Sequence, residues 1–159
     1  MRRFLVFMPL LILFSCDTSR IFEQQVDFPD KAWLVQDQPH FDFEIKDHTQ
    51  NYNLYYTVRN SLDFPFSRIF VNYSLVDSTN TQLRKELLSA YLFDQKSGEP
   101  FGNSSIGDLF DHRFPIVANY HFDKPGKYTI TLEQFNRLDT LKGMLAVGIR
   151  VEAANNNQE

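Results

Sequence analysis

One cysteine in 159 residues narrows the covalent chemistry open to this chain. It is Cys16, preceded by Leu13-Phe14-Ser15 at the end of an apolar run, residues 4–14, that opens behind Arg2 and Arg3. A branched apolar residue at −3, a small one at −1 and then cysteine make a bacterial lipobox, with Phe14 bulkier than the usual −2 residue. The thiol there takes a diacylglyceryl group, the leader is cut before the cysteine, and the freed amine accepts a further acyl chain such as palmitate. As a helix the apolar run spans roughly 16 Å, about half of a ~30 Å hydrocarbon core, so it reads as a secretory leader and not as a membrane span. Acylation consumes the thiol, which excludes thiol catalysis, disulfides and multi-cysteine zinc sites from the mature chain.

Other residue types that carry chemistry are present but scattered. His40, His48, His112 and His121 include no pair at metal-ligand spacing. Asp108, Asp111 and His112 could in principle hold a metal on the long loop, although such acids are ordinary in a solvated loop. Gly102-Asn103-Ser104-Ser105-Ile106-Gly107 lacks the spacing of a nucleophile elbow. Asp42 and Glu44 stand at i,i+2, where a strand shows both on one solvent face and not across the cleft a glycosidase needs. No phosphate loop or EF-hand occurs. The sequence therefore assigns lipidation to Cys16 and names no catalytic, metal or cofactor residue; the chain is expected not to be an enzyme and to need no cofactor.

The aromatics are abundant: 16 Phe, 7 Tyr and one Trp. Trp33 with Tyr52, Tyr55 and Tyr56 offers a sugar-stacking platform if exposed. Core filling accounts for about three quarters of the rings, since most alternate with polar residues. The surplus on opposite faces, Tyr55, Phe70 and Phe135, suits an apolar patch for a protein partner.

These residues must be positioned mostly by strands. Phe41/Phe43/Ile45, Leu54/Tyr56/Val58, Ile69/Val71/Tyr73/Leu75, residues 116–122, Tyr128/Ile130/Leu132 and Leu145/Val147/Ile149/Val151 all alternate with polar or outward residues. Residues 83–93 fit either a strand or the stripe of a helix, the β surroundings favouring strand. Residues 94–113 read as a long loop, and Pro125-Gly126 as a type II turn closing a hairpin. The expected fold is all-β: a single antiparallel sandwich, jelly-roll or Ig-like, after a lipoprotein signal peptide. Its segments are a leader at 1–15, a lipidated cysteine, tether (17–26) and irregular lead-in at 16–39, the sandwich at 40–152 and a frayed tail at 153–159.

Charge sharpens the class. Removing residues 1–15 takes away Arg2 and Arg3 and no acid, leaving 14 basic against 20 acidic side chains, a net charge of −6. An acidic chain is a poor nucleic-acid binder, so none is expected as partner. It gains nothing from anionic lipid either, and membrane attachment rests on the acyl chains of Cys16.

The lipobox cysteine, Trp33 ahead of Phe41-Asp42-Phe43-Glu44-Ile45, and Tyr52-Asn53-Leu54 leading to Val58-Arg59-Asn60 resemble the gliding-motility lipoprotein GldH family. So do Phe64-Pro65-Phe66-Ser67, Gly107-Asp108-Leu109, Pro125-Gly126-Lys127-Tyr128-Thr129, Leu132-Glu133-Gln134 and Val147-Gly148-Ile149-Arg150-Val151-Glu152, in the same order. The resemblance implies a lipid-anchored protein of the cell envelope, in the outer membrane. It implies a non-enzymatic role in gliding, as a binding or assembly component alongside other gliding and type IX secretion proteins. The alternative is a glycan-binding surface lipoprotein of a nutrient-uptake system.

Overall fold

Period-2 patterning dictates the layers. The computed structural model describes residues 19–104 and 107–154, so Cys16 and the end of the tail lie outside the described residues. Its strands are β1 (Arg20–Asp27), β2 (Ala32–Leu34), β3 (His40–Ile45), β4 (Asn51–Ser61), β5 (Arg68–Asp77), β6 (Gln82–Tyr91), β7 (Asn103–Ser104), β8 (Leu109–His121), β9 (Gly126–Gln134), β10 (Thr140–Lys142) and β11 (Met144–Ala153). One antiparallel sheet has the order β1-β11-β4-β8-β7, the other β3-β9-β5-β6, and β10-β2 form a small ribbon. The alternating apolar residues of β3, β4, β5, β9 and β11 are buried between the sheets as one core, so the chain is the expected β-sandwich.

Several elements differ from the sequence reading. Part of the segment read as tether, Arg20–Asp27, is a strand hydrogen-bonded to β11. Its pattern was weak because it is an edge: Phe22 and Val26 pack on the core while Glu23 and Gln25 face water. The supposed loop 94–113 supplies β7 and the first five residues of β8. β8 runs on through Pro115, which sits at a register shift against Leu54 and Tyr55, where a missing N–H is tolerated. Residues 82–91 are strand, settling the helix alternative.

Pro125-Gly126 does not close a hairpin. β8 and β9 belong to different sheets, and Phe122 is buried in the core within the link, carrying the chain across the sandwich. Phe64 is likewise buried in the crossing from β4 to β5. Trp33, fully buried, stacks on Phe28 at 5.5 Å and donates its Nε1–H to the Asp37 carbonyl at 2.8 Å.

These crossings give the sandwich two distinct poles. At one, Ala153 N–H bonds the Ser19 carbonyl and Ala154 N–H the Asn51 carbonyl, each at 2.8 Å, beside the links 46–50, 78–81 and 122–125. At the other lie the links 62–67, 92–102 and 135–139, tied together by Leu92 N–H to Ser67 O and Phe135 N–H to Phe70 O, both 2.9 Å.

Candidate functional site

The residues singled out for chemistry do not converge. Asp111 forms a two-pronged pair with Arg59, at 2.7 and 3.2 Å, on the outer face of the five-stranded sheet. His112, next in the strand, turns inward, stacks on Phe114 at 5.5 Å and is buried; desolvation lowers its pKa to about 4, Asp111 opposing the shift. Gly102 lies against its ring, where an added Cβ would meet Nε2 at 2.6 Å. No group of three His, Cys, Asp or Glu side chains suited to a metal occurs among the described residues. Asp42 accepts a hydrogen bond from Thr129 Oγ1 at 2.6 Å on the exposed face of β3. Of the proposed sugar platform, Trp33, Tyr52 and Tyr56 are core residues, and only Tyr55 faces outward, with the Arg113 guanidinium 5.0 Å above its ring.

The aromatics divide differently from the expected three quarters in the core. Among the described residues eleven rings are buried, with Phe22, Phe114 and Tyr120 packed against the core, and several of the others gather on one surface. Outward positions of β5 and β6 follow from register: Ile69, Val71, Tyr73 and Leu75 point in, so Phe70 and its partner Ser89 point out, as do Asn72 and Leu87. Phe70 also lies beside Phe135, which follows β9. Phe70, Leu87 and Phe135, together with Phe66 and Arg137, line an open groove of about 470 Å³ at the pole away from Ser19. Phe70 and Phe135, paired from sequence as patch candidates, are thus brought together; Tyr55 lies on the opposite sheet. Leu87 is 50% exposed and Phe135 46%. Sequence reasoning missed Leu87 and Tyr91 as surface residues, because Leu88 and Ala90 beside them supply the inward face of β6.

Two devices hold the groove in shape. The Arg68 guanidinium lies 4.7 Å over the Tyr91 ring and 5.2 Å over Phe70, and bonds Ser89 Oγ at 3.0 Å. Each such stack contributes about 0.5–1 kcal/mol near the surface. Asn136 clasps the start of β5: its Oδ1 accepts Phe70 N–H at 2.9 Å and its Nδ2 donates to the Arg68 carbonyl at 3.2 Å. Its own N–H bonds Gln134 Oε1 at 3.0 Å, and the buried Gln134 amide donates on to the Leu138 carbonyl. The clasp presents Phe135 and Arg137 at the rim. Arg137 is exposed, with no hydrogen bond or ion pair among the described residues, and no acid lines the groove.

The other outer face is polar. Arg150 bridges Glu23 at 3.0 Å and also Glu152, and Arg113 reaches Glu152 at 3.1 Å. Its charges are largely paired, whereas the groove offers half-wet rings and a free cation. Covering the exposed halves of Phe66, Phe70, Leu87, Tyr91 and Phe135 contributes roughly 1 kcal/mol each, about 5 in all. Association costs ~4–15 kcal/mol, so apolar contact by itself gives a weak complex.

Residues 20–151 match the profile of the GldH lipoprotein family. The chain belongs to that family. The match opens at the first residue of β1, so the edge strand and the groove both lie within the span shared by GldH lipoproteins, and Cys16 precedes it. Among the relatives of this GldH-family chain, the gliding motility lipoprotein GldH homolog of Christiangramia forsetii is 26% identical over 161 residues, 95% of each chain. The gliding motility lipoprotein GldH of Flavobacterium johnsoniae is 26% identical over 149 residues, 89% of this chain and 90% of its own. Among solved structures, a carbohydrate-binding module specific for non-crystalline cellulose aligns with a TM-score of 0.45 at 12% identity, over 84% of this chain and 73% of that one. A likeness at that level bears on neither ligand nor partner.

Proposed function

We propose that this GldH-family chain is a cell-envelope lipoprotein of bacterial gliding motility, acylated at Cys16, that acts by binding other proteins of the gliding, type IX secretion-associated machinery at the outer membrane. The observation that carries the binding role is the aromatic groove with Arg137 at its rim, at the pole opposite Ser19. Two residues separate Cys16 from Ser19, and the three Cα–Cα steps reach about 11 Å at most. The lipid therefore holds the Ser19 pole at the bilayer, and the groove faces away, about 30 Å further along β5. Confinement to the membrane raises the local concentration of membrane-bound partners, which compensates for the weak apolar contact. The glycan reading loses its platform, since Trp33, Tyr52 and Tyr56 are buried.

Labelling with a palmitate analogue and spreading on agar test this together. Label on the wild type, none on Cys16→Ser, and loss of spreading on gene deletion are expected. Label that survives Cys16→Ser overturns the anchor, and normal spreading of the deletion strain overturns the motility role.

A further inference from the structure

The groove adjoins a free sheet edge. β6 ends the order β3-β9-β5-β6 and is hydrogen-bonded as a strand only to β5, so over ten residues one side of its backbone is unpaired by any strand among the described residues. It carries no proline and no cover from a named strand; Arg84, Lys85, Glu86 and the register shift at Gln82 guard its first half, which leaves Leu87 to Tyr91 as the open stretch. On its outer face Lys85, Leu87 and Ser89 recur at every second residue, the spacing at which a strand laid alongside presents its own side chains. Charge then selects the occupant. Arg68 and Arg137 line the groove without an acid and Lys85 extends the positive strip, whereas the acids of this face, Glu133, Asp42 and Glu44, sit on β9 and β3. A second copy docked groove to groove would set Arg137 against Arg137 with no carboxylate between them.

We infer that the β6 edge and its groove take up an extended segment of a partner protein, one that carries carboxylates between apolar residues and adds to the four-stranded sheet as a fifth strand. Backbone pairing along β6 supplies what apolar contact lacks, Leu87 and Ser89 meet alternate side chains of the added strand, and the segment's continuation past Tyr91 crosses the groove over Phe70 and Phe135, where Arg137 reads its acids. The inference rests on the binding role proposed above and names the chemistry of the partner.

The test places a photo-crosslinking phenylalanine at Leu87 or Phe135 of the full-length protein in its own cells, with Tyr55 on the opposite sheet as control, and sequences the adducts by mass spectrometry. The expected adduct from both groove positions is a single peptide segment of another protein with acids among apolar residues. Arg137→Glu should lower its yield at least fivefold while Arg137→Lys leaves it within twofold, and Tyr55 should not give it. An adduct to lipid, to glycan or to this chain itself, the absence of any adduct, or a yield unmoved by Arg137→Glu overturns the inference. Spreading of the deletion strain is scored separately. Lost spreading without a groove adduct removes only the docking claim; a groove adduct with normal spreading removes only the gliding role.

Discussion

Asn136→Ala isolates the clasp that shapes the groove. The substitution deletes the acceptor of Phe70 N–H and the donor to the Arg68 carbonyl, two backbone groups at the start of β5. Both are partly buried, so each loses a hydrogen bond that water restores only in part. At about 1 kcal/mol apiece the expected destabilisation is roughly 2 kcal/mol. In a domain of this size that lowers the melting temperature by about 5 °C. Trp33 is the only tryptophan and is fully buried against Phe28, which makes its fluorescence a direct reporter of urea unfolding. Hydrogen exchange localises the effect: the Phe70 amide should lose protection while Ile149, in the middle of β11, keeps its own. Arg137→Ala, at an exposed side chain without partners, is the control and should stay within about 0.5 kcal/mol. If Asn136→Ala also falls below about 0.5 kcal/mol, or if Phe70 exchange does not change, Asn136 is not what holds the groove.

Two further perturbations probe the frame around the site. Gly143 has φ +79, and a Cβ there would stand 2.7 Å from Phe64 Cα, a backbone atom that cannot swing aside. Gly143→Ala should therefore cost more than about 2 kcal/mol in urea unfolding; a near-neutral variant would mean this crossing is loosely packed. His112 gives a pH dependence: above about pH 6.5 it is neutral in both states and has no effect. Below that the unfolded chain binds a proton the buried ring resists, so stability falls until the folded pKa near 4 is reached. The loss approaches about 3 kcal/mol, and His112→Gln should flatten that part of the curve; an unchanged curve would show that His112 is not its source.

The sheets were legible in the sequence because their inward faces are nearly pure. β4 and β5 alternate buried and partly exposed residues along almost their whole length, and β9 does so from Tyr128 onward. Where both faces carry apolar residues the same signal fails. In β6, Leu87 points out and Leu88 in, so the pattern suited helix and strand alike, and nothing in it marked Leu87 as surface. The groove was half visible: Phe70 and Phe135 stood out as surplus aromatics, but their adjacency depends on the β5–β9 register across 64 intervening positions. The clasp was not visible at all, since Asn136 in a polar link looks like any turn residue until its partners on β5 are known.

The weakly patterned β1 carries the largest functional consequence. If residues 17–26 were a free tether, the first strand in either main sheet would be β3, whose start at His40 lies towards the groove pole, beside Thr131 of β9. The anchored chain would then enter the sandwich at the pole that holds the groove. With β1 in the sheet, the chain enters at Ser19 and crosses the sandwich along β1, β3 and β4 before it reaches Phe66. Three full crossings are an odd number, and an odd number ends at the opposite pole. The placement of the groove at the pole opposite the chain's entry at Ser19 thus follows from one edge strand held to β11 from Arg20 to Asp27. It also makes that strand unlike a linker: shortening residues 20–26 strips pairing from β11 and removes Phe22 or Val26 from the core, so it acts on the fold before it acts on reach.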